Sequence, residues 1–305
     1  MLIMYNNSME TNKLTIKDSS ISFFVGFLLC QLSVVFVTCV GLIVCTIANI
    51  DTSNLDLFFN TSGGYLICVL AMDLTMLAVF FFMNRKKENA IISKPSAKKI
   101  FMYIGIAILA FFCLYPLITC IDSLLTHLDF RLNTIPYELN TTNYLVSLVS
   151  LVILPAICEE LLFRGLIFKG LKRYGKIFSM VISALMFSIY HMSLDQMVYP
   201  LLIGLLLGVI MYYEDNILYC IAIHMTNNFL SLTMSYLNIP LMYQHWTYIL
   251  IAIILAAVFI TLVLYFTIKN HKNYPKESIN TEGKIYFYVS IIVMFILWII
   301  TNCSK

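Results

Sequence analysis

The hydrophobic positions of this chain fall into long, almost unbroken runs, and that pattern predicts the architecture before any single residue is considered. A bilayer crossing needs about 17–25 largely apolar residues. Runs of that kind lie at about 21–50, 63–83, 100–121, 143–168, 177–192, 196–213, 217–237, 246–268 and 285–301. They predict an all-α, polytopic transmembrane helical bundle of about nine spans. Polar residues collect between the runs, and lysine and arginine collect in every second gap. Arg85, Lys86, Lys87, Lys94, Lys98 and Lys99 follow the second run, Lys169, Lys172, Arg173 and Lys176 the fourth, and Lys269, Lys272, Lys276 and Lys284 the eighth. All share a side with Lys13 and Lys17, whereas the opposite side holds Arg131 and Lys305. Positive loops stay in the cytoplasm, so the expected product is a multi-pass protein of the cell membrane with its amino terminus cytoplasmic. The polar first twenty residues lead into an apolar run with no small-residue cleavage site, which reads as an uncleaved first span.

Composition narrows the class further. Hydrophobic residues make up 61% and charged residues 11% of 305, against about 25% charged in soluble domains, so membrane lipid is an expected partner and nucleic acid is not. The nine cysteines show no CxxC pair and mostly sit within apolar runs, as small packing residues do. Residues 1–142 read as an amino-terminal scaffold, 143–237 as the part that carries chemistry, and 238–305 as a carboxyl-terminal transmembrane hairpin. Asp73, alone in the second run, reads as an acid hydrogen-bonded to a neighbouring helix. Residues 122–142 read as an outer surface loop with turns at Asn133, Pro136 and Asn140. Gly204 and Gly208 form a small-xxx-small pair for close helix approach, and Ser193 with Gln196 reads as a capping box opening the sixth helix.

Against this background the segment LVILPAICEELLFR, Leu151 to Arg164, stands out. Each charge at the centre of a membrane helix costs about 2.5–3.5 kcal/mol, so Glu159, Glu160 and Arg164 require compensation or a task. Glu160 and Arg164 are four apart and share a face, while Glu159 points about 100° away. Pro155, one turn earlier, deprives the carbonyl of Leu151 of its usual donor and predicts a kink. Later helices add FSIYH, with Phe187 and His191 on one face, and HMTNN, with His224 and Asn228 on one face. Together these groups supply a base, a proton shuttle, a charge clamp and an amide donor.

Glu159-Glu160-Leu161-Leu162-Phe163-Arg164 resembles the EExxxR motif, Phe187 to His191 the FxxxH motif, and His224 to Asn228 the HxxxN motif of the CPBP family of intramembrane proteases, also called the CAAX protease and bacteriocin-processing or Abi family. The ordered triple covers residues 150 to 230. The resemblance implies a helical bundle with an intramembrane catalytic cavity open to the cytoplasm, and peptide-bond hydrolysis in a lipidated or hydrophobic peptide or protein, with bacteriocin self-immunity or peptide maturation as possible settings. By motif position Glu159 is the general base, His191 holds or deprotonates the water, His224 and Asn228 stabilise the oxyanion, and Glu160 with Arg164 forms the supporting pair; the two glutamates are interchangeable at this level. Zinc is an alternative, with Glu159, His191 and His224 as its shell, since two histidines and a glutamate with one open position match a catalytic site. HExxH, GxGD and a serine-nucleophile motif are absent. Two other readings stay open: a transporter, which predicts acids along a track and repeated broken helices, and a non-catalytic immunity or peptide-binding protein. One geometric tension is visible. Glu160 lies about 14 Å and His191 about 21 Å along their helices from the same membrane face, so the fifth helix has to tilt or sit inward.

Overall fold

The first helix starts where its sequence dictates. Thr15 Oγ1 accepts from the amide of Asp18, and the Asp18 carboxylate accepts from the amide of Thr15 at 2.8 Å, a reciprocal cap. The computed structural model describes residues 13–85, 94–128, 130, 135–237, 246–269 and 277–303. Lys86, Lys87, Arg131, Asn133, Lys272, Lys276 and Lys305, which entered the charge and turn patterns, lie outside the described residues. In chain order the helices are α1 (Ile16–Ala48), α2 (Ser53–Phe59), α3 (Ser62–Asn84), α4 (Ala97–His127), α5 (Thr141–Lys172), α6 (Lys176–Tyr190), α7 (Val198–Glu214), α8 (Ile217–Tyr236), α9 (Trp246–Lys269) and α10 (Thr281–Cys303). Among the described residues there is no strand, and the protein is a multi-pass helical bundle.

Seven helices are long and apolar enough to cross a bilayer, namely α1, α3, α4, α5, α8, α9 and α10. The fifth and sixth expected spans are α6 and α7, of 15 and 17 residues, or about 22 and 25 Å long, short of a hydrocarbon core of about 30 Å. They form a hairpin. Cβ atoms added at Gly204 and Gly208 of α7 would lie 3.1 Å and 3.4 Å from the Cα atoms of Ala184 and Met180 of α6, so the glycines allow the two backbones to pack closely. Lys172 at the end of α5 is paired with Asp215 just after α7 (3.1 Å). The hairpin thus leaves and returns at one end of the bundle, and the order of the later helices is the same whether or not it crosses fully.

That end gathers the polar junctions. Lys17 pairs with Glu282, Arg173 with Glu277 through two nitrogens (2.9 and 2.6 Å), and Lys99 and Tyr103 with Glu214 (2.5 and 2.9 Å). The tyrosine hydroxyl of Tyr219 accepts from the amide of Ser96 at 2.9 Å. The opposite end is tied by Ser62 to Asn143 (2.8 Å), Tyr144 to Thr233 (2.9 Å), and the amide of Leu194 to Asn302 (2.8 Å). The basic segments therefore share one end, as the alternation of charged gaps predicted.

Three local expectations change. The fourth helix does not stop near residue 121: α4 continues through Pro116 to His127, so the outer connection is shorter than a 122–142 loop. Ser193 and Gln196 do not form a capping box; α7 begins at Val198 with no side-chain cap, because the Ser193 hydroxyl is taken by Asp195 within the turn. Asp73 is buried as expected, yet its Oδ2 has no hydrogen-bond partner.

Helix α5 is the axis of the packing. Its Leu162, Phe163 and Leu166 join Phe23 and Phe27 of α1, Met76 and Phe80 of α3 and Phe187 of α6 in one core, and its Phe168 joins a second core with Leu114 of α4, Leu207 of α7 and Ile223 of α8. Gly170 permits a close approach to α1, since a Cβ there would lie 2.1 Å from Ser19 Oγ and 2.5 Å from the carbonyl oxygen of Thr15. Helix α9 packs on α4 and α7, whereas α10 packs on α1 and α6. The eight cysteines with described side chains are all free thiols.

Candidate active site

Two π-helical stretches interrupt α5, Leu148–Ile153 and Leu161–Phe168, and the acids lie at the end of the α-helical piece between them, Leu154–Glu160. The first stretch is explained by Pro155, which has no N–H to offer Leu151. The helix widens there, with the Leu154 amide donating to Val149 five residues back. The Asn228 side chain of α8 supplies the missing donor: its Nδ2 donates to the Leu151 carbonyl at 3.0 Å. In the second stretch the carbonyl of Ile167 accepts from Ser19 of α1 at 2.9 Å. Wide turns of this kind often mark functional positions.

The charged centre is built on Glu160. Arg164 Nη1 donates to Glu160 Oε1 at 2.8 Å, and both side chains are 0% exposed. His224 Nδ1 meets the same oxygen at 2.8 Å. The guanidinium also reaches the Gly204 carbonyl (3.5 Å) and lies over the Phe187 ring, 4.6 Å from its centroid. Gly204 therefore does more than admit α6; its bare backbone also lets a carbonyl approach the arginine. Glu159 is different. Its side chain keeps 17% of its surface exposed, Oε2 is buried without a hydrogen bond, and His224 Nε2 stands 3.9 Å from that oxygen. His224 thus bridges the enclosed glutamate and the open one.

His191 caps α6, with Nδ1 at 2.8 Å from the Phe187 carbonyl. A carbonyl only accepts, so Nδ1 carries the hydrogen and Nε2 of the neutral ring presents a lone pair. The next residue, Met192, has φ 53°, a left-handed conformation that is rare for a bulky side chain. The rings of His191 and His224 both meet Phe187 edge to face, with centroids 4.9 and 5.8 Å away. Phe187 is thus the spacer that links the FxxxH and HxxxN helices.

Of the six residues singled out in the sequence, Glu159, Glu160, Arg164 and His224 form one contiguous group. Asn228 reaches α5 through a backbone carbonyl, and His191 joins through Phe187. The zinc shell suggested by Glu159, His191 and His224 is not assembled in this arrangement: among the described residues no three His, Cys, Asp or Glu side chains are gathered to hold a metal ion.

Two residues were not legible as part of the group. Asn227 is buried, accepts from the Tyr199 hydroxyl of α7, and donates to Asn228 Oδ1 at 3.5 Å. The chain Tyr199, Asn227, Asn228, Leu151 ties α7, α8 and α5 and sets which end of the Asn228 amide faces α5. Its only trace in the sequence is the doubled asparagine of HMTNN. Tyr199→Phe leaves the buried Asn227 oxygen unsatisfied and is expected to destabilise the protein by about 1–3 kcal/mol, whereas Tyr199→Phe with Asn227→Leu removes both partners and is expected to restore most of that loss. Thermal unfolding of the two variants in detergent is the measurement.

Fold and centre together define a multi-pass membrane protein with a charged, hydrogen-bonded group held inside its helices. Residues 141–230, which supply α5, α6, α7, most of α8 and every member of that group, match the family described as Rce1-like, type II CAAX prenyl endopeptidase. The resemblance read from the three motifs holds over that segment, and the family is one of proteases. No curated protein and no solved structure matches the chain.

Proposed function

We propose that this protein is an intramembrane endopeptidase of the CAAX-processing type, cutting a lipidated carboxyl-terminal peptide from the cytoplasmic face of the cell membrane. The observation that carries this reading is the division of labour between adjacent glutamates. Glu160 is wholly buried, with Oε1 held by Arg164 and His224, while Glu159 keeps 17% of its side-chain surface exposed. A general base needs such access to water. The positive-inside rule supports the orientation, because the basic ends of the helices share one face. The gathering of the charges into one group on adjacent helices favours hydrolysis over transport, which predicts acids spread along a path.

In this reading Glu159 takes a proton from a water molecule as its oxygen attacks the scissile carbonyl carbon, and returns that proton to the departing amide nitrogen. His191 Nε2, the lone-pair nitrogen, accepts a hydrogen bond from the same water. The oxyanion receives the Nε2 hydrogen of His224 and the second amide hydrogen of Asn228, the first being engaged by Leu151. This assigns a charge to His224. With Nδ1 donating to Glu160, only the imidazolium has a hydrogen on Nε2. Two glutamates, Arg164 and an imidazolium then sum to zero, the least costly state for a group shielded from water.

The test is cleavage of a farnesylated CAAX peptide by the protein reconstituted in lipid bilayers, with products read by mass spectrometry. Release of the residues after the prenylated cysteine is expected, falling by about 10²–10⁴-fold in Glu159→Gln with unfolding behaviour unchanged. Equal release by both proteins, or by neither, overturns the proposal.

A further inference from the structure

Helix α3 carries an acid that the proposed reaction does not use. Asp73 lies near the middle of α3, about 16 Å from its start at Ser62 by helical rise, and is the one charged residue between Ser62 and Asn84. It is 4% exposed and its Oδ2 is enclosed with no hydrogen bond. It also lies outside residues 141–230. The groups that face it come from three other helices. Cys30 of α1 donates to the carbonyl of Met72 at 3.5 Å and accepts from the Tyr190 hydroxyl of α6 at 3.4 Å. Helix α5 contributes Cys158 and Glu159 from its Leu154–Glu160 stretch, which packs on α3, and Asp73 interacts electrostatically with Glu159, Cys30, Cys158 and Tyr190. No cation among the described residues offsets Asp73, since Arg164 is committed to Glu160.

Two carboxyl groups thus stand on helices packed against each other, each with one enclosed oxygen that has no partner, Asp73 Oδ2 and Glu159 Oε2. Two ionised carboxylates so placed repel each other and lack donors, whereas one acid and one carboxylate satisfy each other. We propose that Asp73 is a neutral carboxylic acid whose O–H donates to Glu159, directly or across one water, and so positions the Glu159 carboxylate for its attack on water. This rests on the reading of Glu159 as the base. Asp73 itself gives up no proton during turnover. It orients the base, and the proton taken from water resides on the other oxygen of Glu159.

Infrared difference spectra and kinetics test this together, using the full-length protein in bilayers and the farnesylated CAAX peptide. Wild type minus Asp73→Asn is expected to show the carbonyl band of a protonated carboxylic acid at neutral pH, and Glu159→Gln is expected to shift that band. Asp73→Asn keeps an N–H donor and should retain kcat within about threefold, while Asp73→Leu should lower kcat about 10²-fold with KM unchanged, the scale for a misplaced reacting group. Asp73→Leu replaces a buried acid by an apolar side chain of similar size, so its unfolding midpoint should not fall. A carboxylate band in place of the acid band, an acid band indifferent to Glu159→Gln, Asp73→Leu turning over like wild type, or Asp73→Asn losing as much as Asp73→Leu each overturns the inference. An inactive Glu159→Gln beside an unimpaired Asp73→Leu sinks this inference alone. A fully active Glu159→Gln sinks the base assignment, and with it the positioning role of Asp73.

Discussion

Arg164→Met is expected to destabilise the protein by about 3–5 kcal/mol, the usual result of removing one member of a buried ion pair. The reason is what remains. Glu160 is wholly buried, and Arg164 is one of the two partners of its Oε1, the other being His224. Without the guanidinium the carboxylate must pick up a proton or pull in water, and the Gly204 carbonyl and Phe187 face lose their contact as well. The companion variant Arg164→Met with Glu160→Leu removes both charges at similar volume, and recovery of most of the stability is expected, because replacing a whole buried pair is often neutral. Turnover should not recover with it, since His224 then has no carboxylate on Nδ1. Detergent-solubilised unfolding followed by circular dichroism separates the two variants, and a double variant as unstable as Arg164→Met would show that packing, not charge, holds this position.

The second large effect is on rate. His224→Phe is expected to lower kcat by about 10²–10³-fold, equivalent to about 2.7–4 kcal/mol of transition-state stabilisation, with little change in KM. His224 Nε2 faces the open glutamate while Nδ1 is fixed on the enclosed one, so the ring is held before substrate arrives. That pre-orientation is what makes an oxyanion donor effective. Steady-state kinetics on the peptide of the proposed reaction measure the effect. A rise in KM with kcat unchanged would instead place His224 in substrate binding.

Much of the centre could be read from spacing alone. Glu160 and Arg164 pair as four-residue neighbours do, since a helix brings i and i+4 together regardless of what surrounds it. The alternation of basic segments also survives, because charge placement relative to apolar runs is a one-dimensional property. Other features were invisible for a physical reason. Pro155 predicts a disturbed helix, yet which group would serve the Leu151 carbonyl depended on how α8 crosses α5, and Asn228 does so. Ser193 looked like a cap because its spacing to Gln196 fits, but Asp195 competes for the same hydroxyl at shorter range. Asp73 read as a hydrogen-bonded acid, and the structure instead buries one oxygen without a donor.

The sequence by itself determined that the chain is a helical membrane protein, that its charges concentrate on one interrupted helix, and that three short motifs resemble those of intramembrane proteases. Hydropathy, helix period and local pairing need no knowledge of neighbours. The tertiary structure alone decided which glutamate is enclosed and which is open, that α6 and α7 form a short hairpin, that Tyr199 and Asn227 brace Asn228, and that Asp73 stands among the groups around Glu159. Each of these depends on which helix packs against which, and that is set by shape at close range, such as the bare backbone of Gly204 beneath Arg164 and the Phe187 ring between two histidines.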